Sequence, residues 1–215
     1  MIDAVIFDLD GVLVRTDGLH YRAWKVIADA EGIEFDERIN DQLRGVSRME
    51  SLEIILRRAT RAYTPEEKQA LAERKNAIYR DLLQSLCPAD VLPGVNELLS
   101  GLSARDVALA VASSSKNART ILDRCGLTQR FGVIVDGNDI SRSKPDPQVF
   151  LMAAEKLGIP PERCLVVEDA EAGILAARRA GMHVFGIGTP RNLPGVEPIA
   201  ESLSQVNVAT LIGRN

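Results

Sequence analysis

Two aspartates in Asp8-Leu9-Asp10-Gly11-Val12 directly follow the apolar run 4–7. Side chains two apart in an extended strand share a face, and the carboxyl end of a strand is where α/β sheets bind ligands. Gly11 permits a sharp turn just beyond. Val167-Glu168-Asp169 repeats the arrangement after the apolar run 164–167. Two acidic clusters on one sheet edge repel unless a cation lies between them. Oxygen ligands without His or Cys point to Mg²⁺. Taken singly, each cluster has a plainer reading: two solvated carboxylates at a strand end, and an Asp169 that caps the following helix.

Further groups could meet an anion. Ser113-Ser114-Ser115-Lys116-Asn117 follows the apolar run 107–112, and offers hydroxyls, backbone N–H groups at a helix start and a lysine. A serine cap on an ordinary helix would look the same. Ser143-Lys144-Pro145-Asp146-Pro147 is either a turn opening a helix or the place of a compact positive charge facing the carboxylates. Lysines are scarce, six against twenty arginines, which gives Lys144 weight. Lys75 falls inside the helical stripe Leu71, Ile78, Leu82, Leu86, so it either snorkels or faces a ligand; Lys68 shares the stripe near the helix start. His20 and Trp24 are i, i+4 on one helix, where a packed Trp beside a polar His is the simplest reading.

The elements that must position these groups are short β-rich runs at 4–7, 107–112, 133–135, 164–167 and 183–187. They alternate with helical stretches at 116–125, 147–157 and 170–180. Gly126, Gly158 and Gly181 stand where left-handed helix ends are expected. Continuous apolar strands alternating with helices predict βαβ units and a doubly wound parallel α/β sheet. Residues 15–87 break the rhythm. They contain only helical patterns, at 19–31, 49–61 and 65–86, and predict an all-helical insert of about 70 residues. The expected division is a core of 1–14 and 88–215 and a helical domain of 15–87. A site between the two would exclude water on closure.

Composition removes other classes. The 215 residues are 46% hydrophobic and 26% charged, with net charge −4 and no block of like charges. Nucleic-acid and membrane-surface binding are therefore not expected, and no apolar run reaches membrane-span length. The N-terminus lacks the basic start of a signal peptide. Cys87, Cys125 and Cys164 have no paired spacing, which suits reduced thiols in the cytoplasm. With two histidines in the chain, chemistry must rest on carboxylates, lysines and hydroxyls.

The order DLDGV, SSSKN, SKPDP, VVEDA resembles the haloacid dehalogenase superfamily of aspartate-nucleophile phosphotransferases, and the insert looks like its helical cap. The phrases around Thr16, His20 to Lys25, Gln42 to Arg48, Arg74 to Asn76 and Pro88 to Gly94 are similar to the β-phosphoglucomutase branch. That resemblance implies interconversion of β-D-glucose 1-phosphate and D-glucose 6-phosphate through a β-glucose 1,6-bisphosphate. It makes Asp8 the nucleophile and Asp10 the general acid/base. Mg²⁺ would be held by Asp8, the Asp10 carbonyl, Glu168 and Asp169. Ser113 and Lys144 would hold the transferring phosphoryl; Arg48, Ser115, Lys116 and Asn117 the second phosphate. His20 and Lys75 would hydrogen-bond between the cap, Asp10 and the sugar; Thr16 and Trp24, with the loop Gly45, Val46 and Ser47, would meet the substrate. The rival with the same fold is a sugar-phosphate phosphatase, and a remote one is a non-enzymatic phospho-acceptor. A small sugar phosphate is the expected partner of a monomer. Arg15 departs from the family, which usually has an acidic residue at this hinge position.

Overall fold

The protein is described by a computed structural model covering residues 2–188, 196 and 199–213. Six strands form one sheet: β1 (Ala4–Phe7), β2 (Ala108–Ala112), β3 (Val133–Val135), β4 (Cys164–Glu168), β5 (His183–Ile187) and β6 (Ile199–Ala200). Their order is β3-β2-β1-β4-β5-β6, and every pairing is parallel. β1 is buried on both faces, as its unbroken apolar run requires. Val5 and Phe7 join one hydrophobic cluster, Ala4 and Ile6 the other. Helices α5 (Val95–Ser103), α6 (Ala118–Arg124) and α9 (Val208–Ile212) cover the first face. Helices α7 (Gln148–Leu157) and α8 (Glu171–Arg179) cover the second. The fold is a doubly wound α/β sheet with helices on both faces. After β1 the chain moves to β2 on one side and returns to β4 on the other, so the direction of winding reverses beside β1, where such sheets open a crevice.

Between β1 and the rest of the sheet lie α1 (Asp17–Ala30), α2 (Glu37–Asp41), α3 (Arg48–Leu56) and α4 (Pro65–Leu83). They enclose their own apolar cluster around Trp24, Ile27, Phe35, Leu52 and Leu71. The lower ends of α1 and α4 carry Leu19, Ala23, Tyr79 and Leu83 into the main cluster beside the sheet. Packing is thus continuous from the sheet into the helical segment.

The helix ends at Gly126, Gly158 and Gly181 have φ of +69°, +68° and +74°, the left-handed conformation expected there. Several elements differ from expectation, among them the short β6 and α9, which no expected run covers. The helix expected over 49–61 ends at Leu56, because Arg57 and Arg58 bring no apolar side chain to bury. The five-residue α2 is too short to show a period. α5 was not expected, although Val95, Leu98, Leu99 and Leu102 fall at i, i+3, i+4, i+7 and all are buried.

Candidate active site

The carboxyl ends of β1, β2 and β4, three neighbouring strands, and the segment that follows β3 bring the sequence motifs together. Asp8 follows β1, and its N–H donates to the Val167 carbonyl at 3.0 Å. Gly11 turns the chain at φ +85°. Lys144 is fully buried, and its Nζ lies 2.5 Å from Asp8 Oδ1 and 2.6 Å from Glu168 Oε1. Burial pushes the Asp8 carboxyl upward, with Glu168 and Asp10 adding to the push and Lys144 opposing it. Burial also works against the Lys144 charge, yet its two carboxylate partners hold it above the usual lysine range.

Glu168 uses both oxygens. Oε2 accepts the N–H groups of Asp169 and Ala170, each at 2.8 Å, while Oε1 takes Lys144. The side chain lies against Gly173, where a Cβ would stand 1.7 Å from Oε1, so no other residue fits in α8 at that point. This answers the capping alternative: α8 begins beyond Ala170 with no side-chain cap, and Glu168 accepts the Asp169 and Ala170 N–H groups just ahead of it. Asp169 is instead free to face the cleft. Its carboxyl is raised well above the usual range by burial and by Glu168 and Asp8.

One oxygen each from Asp8, Glu168 and Asp169 lie within 4.8 Å of one another. Two carboxyls driven upward by burial and mutual repulsion, in an all-oxygen set, fit a hard divalent cation such as Mg²⁺.

Above this floor, a cleft of about 460 Å³ opens between the sheet edge and the helical segment. Asp10 Oδ1 accepts the Thr16 hydroxyl at 2.6 Å and lies 3.6 Å from His20 Nε2. Burial opposes the Asp10 charge, but these two facing groups hold the carboxyl below its usual range. Thr16 is fully buried behind Asp10 and does not line the cleft. Lys75 is buried too, with Nζ 3.0 Å from His20 Nδ1 and 4.9 Å from the Trp24 ring. It points inward rather than snorkelling. Its neighbour on the stripe, Lys68, pairs with Glu53 at the surface. Burial, and secondarily the Arg48 charge, lower Lys75 to about 7. Burial and the Lys75 charge lower His20 as well. With Lys75 donating to Nδ1, a neutral His20 carries its proton on Nε2, directed at Asp10.

The remaining candidates line the same cleft. Gly45, Val46, Ser47 and Arg48 approach from the helical side, Ser113, Ser115, Lys116 and Asn117 from the β2 end. Ser47 is partly committed: its hydroxyl accepts the Glu50 N–H at 3.3 Å, capping α3, and donates to Glu50 Oε2 at 2.7 Å. Arg48 makes no hydrogen bond or ion pair among the described residues. Arg15 is exposed, and its N–H donates to the Asp90 carbonyl at 3.0 Å, where the chain leaves and re-enters the sheet.

A family model for haloacid dehalogenase-like hydrolases matches residues 2–181. The chain belongs to this family. Among these hydrolases it is 43% identical over 97% of its length to a β-phosphoglucomutase of Bacillus subtilis, covering 93% of that protein. It is 32% identical over 86% of its length to a phosphorylated carbohydrates phosphatase of Thermotoga maritima, covering 85% of it. The crystal structure of a β-phosphoglucomutase from Clostridium difficile superposes with a TM-score of 0.93 at 37% identity, covering 99% of this chain and 96% of that one.

Several residues in or beside the cleft were not singled out as site residues in the sequence. Asn76 Oδ1 accepts Asn117 Nδ2 at 3.0 Å, and Glu50 Oε2 accepts the Ser143 hydroxyl at 2.8 Å, both between the helical segment and the sheet. Tyr79 lies against His20, ring centroids 4.1 Å apart. Arg44 reaches Asp169 at 3.1 Å. In sequence Arg44 is one of twenty arginines, marked by its place next to Gly45 in the phrase Gln42 to Arg48.

Proposed function

We propose that the protein is a Mg²⁺-dependent phosphomutase that interconverts β-D-glucose 1-phosphate and D-glucose 6-phosphate. The observation that carries this reading is a second anion wall in the cleft. Asp8 stands at the floor, while Arg48, its side chain without a hydrogen-bond or ion-pair partner among the described residues, faces the same space from the helical side, and Ser115, Lys116 and Asn117 face it from the β2 end. A mutase must hold a bisphosphate in two orientations and needs a phosphate pocket where no chemistry occurs. A phosphatase for a small substrate does not.

In this reading 15–87 is the cap and the remaining chain the core. Mg²⁺ on Asp8, the Asp10 carbonyl, Glu168 and Asp169 would neutralise phosphoryl charge and polarise its oxygens. Lys144 and Ser113 would hold the same phosphoryl in place. A phosphoryl carried on Asp8 passes to the C6 hydroxyl of β-glucose 1-phosphate while Asp10 takes that hydroxyl's proton. The bisphosphate turns over in the cleft. Asp8 then attacks the C1 phosphoryl, and Asp10 returns the proton to the departing C1 oxygen, leaving glucose 6-phosphate and restoring the aspartyl phosphate. Thr16 and the His20–Lys75 pair hold Asp10 in place, and Trp24 with the Gly45–Val46–Ser47 loop faces the sugar. The free cysteines and the mixed surface charge suit a cytoplasmic monomer acting on a small sugar phosphate, without nucleic-acid or membrane partners. Among the described residues, no helix is long and apolar enough to cross a membrane.

The phosphatase reading keeps support from the Thermotoga relative. Arg48→Ala separates the two. Loss of a charged phosphate contact costs about 2–4 kcal/mol, or some 30- to 1000-fold. Conversion of glucose 1-phosphate should fall by that factor. Phosphorylation of Asp8 by acetyl phosphate, a donor without a second phosphate, should change little. Loss of both activities together would reduce Arg48 to a support of the fold. Loss of neither would favour the phosphatase.

A further inference from the structure

We propose that Arg44 is a cationic latch that competes with Mg²⁺ for Asp169, so that metal loading loosens the closed cleft. The inference rests on the magnesium reading above.

Arg44 sits on the helical side, immediately before the loop that faces the sheet edge. Its Nη2 lies 3.1 Å from Asp17 and its Nε 3.6 Å from Asp41, both in the helical segment. Its Nη1 lies 3.1 Å from Asp169 Oδ2, on the opposite side of the cleft. Two partners therefore anchor the guanidinium on one side, and a single bond crosses. The crossing is short because Gly45 lies flush on the β4–α8 turn: a Cβ there would stand 3.0 Å from the Ala170 Cβ.

The receiving carboxylate is the unusual part. Asp169 is 10% exposed and belongs to the acidic group with Asp8 and Glu168. Lys144 already balances Asp8 and Glu168. Arg44 is the cation that balances Asp169. A divalent cation among these carboxylates and a guanidinium on one of them repel, whether they share an oxygen or take one each. Each must weaken the other, and by linkage the factor is the same in both directions. When the bond to Asp169 is lost, Arg44 keeps Asp17 and Asp41, so release exposes no unpaired charge. Of the other polar contacts across the cleft, Asn76–Asn117, Glu50–Ser143 and Ser114–Gly45 do not touch the acidic group, and Thr16 and His20 meet the Asp10 carboxyl, which is not one of its three members. The consequence is an ordered cycle. Metal-loaded, substrate-free protein is the more open form and admits sugar phosphate; the phosphate charge then replaces Asp169 as the reason for the helical segment to close.

The test uses the whole chain at constant ionic strength, with Mg²⁺ alone as the probe. Small-angle scattering of metal-free protein should show wild type closed and Arg44→Gln more open, with Arg44→Lys between them. Added Mg²⁺ should expand wild type and leave Arg44→Gln nearly unchanged. Calorimetric titration should give Arg44→Gln about tenfold tighter Mg²⁺ binding than wild type. Identical scattering of the metal-free proteins would overturn the latch. Equal or weaker Mg²⁺ binding by Arg44→Gln would overturn the competition and make Arg44 a support for the ligand. Failure of the magnesium reading itself looks different: no protein of the series gives a Mg²⁺-dependent heat or expansion, and the exchange falls with it.

Discussion

Lys75 on α4 donates to His20 Nδ1 on α1 across 3.0 Å, and the other face of that imidazole looks at Asp10. A buried cation thereby fixes the tautomer of a half-buried histidine, and the histidine holds a carboxylate. The arrangement keeps a lysine charge in an apolar helical packing at a cost in stability, as functional sites often do.

That cost is measurable in Lys75→Met. Burial lowers Lys75 to about 7, so the folded protein releases its proton well before the unfolded chain does. From about pH 7 to the normal lysine range the unfolded state binds more protons, and stability rises with pH on this account. The Met variant should be more stable than wild type by about 1–3 kcal/mol at pH 6, and the gap should shrink as pH climbs towards 10. Urea unfolding at pH 6 and 9 reads both values. A variant less stable than wild type at pH 6 would contradict the account.

Thr16→Val should act through Asp10. Without the hydroxyl at 2.6 Å, Asp10 loses one of the groups that hold its carboxyl low. A hydrogen bond to a charged group is worth about 1.5–3 kcal/mol, so the acid limb of the pH–rate profile should move up by about one unit or more. Asp10→Asn should lose roughly 10²–10⁴-fold in rate across the whole profile. An unmoved acid limb in Thr16→Val would remove Thr16 from the support of Asp10.

Chelation provides a third check. On the proposed magnesium reading, EDTA should abolish turnover and Mg²⁺ should restore it, because the acidic group formed by Asp8, Glu168 and Asp169 would need a hard cation to accept a phosphoryl group. Asp8→Asn should take no phosphoryl from acetyl phosphate with or without Mg²⁺, an amide being a poor nucleophile, and intact mass reads this directly. Full turnover in chelator would remove the metal.

The legible part of this site was the part written in strands. Asp8 and Glu168 follow continuous apolar runs, and such runs place their next residue at the sheet's carboxyl edge whatever else the chain does. The division of labour between Glu168 and Asp169 was not legible, since Asp169 also read as a plain cap of α8. The choice was made by Gly173, nearby in sequence but meaningful only once α8 packs on β4. Lys68 and Lys75 occupy one helical stripe, yet one meets Glu53 in solvent and the other His20 in the interior. Periodicity cannot separate them, because the difference lies in what α1 brings alongside. Thr16 was expected at the substrate and stands behind Asp10, a distinction set by the turn between Asp10 and Val14 rather than by residue type.

The central claim is transfer to a second sugar hydroxyl rather than to water, and ³¹P NMR tests it most directly. The protein with Mg²⁺, β-glucose 1-phosphate and a trace of glucose 1,6-bisphosphate should convert the 1-phosphate resonance into that of glucose 6-phosphate, with the total sugar phosphate conserved. Accumulation of inorganic phosphate in step with the loss of glucose 1-phosphate would contradict the account and make the protein a phosphatase.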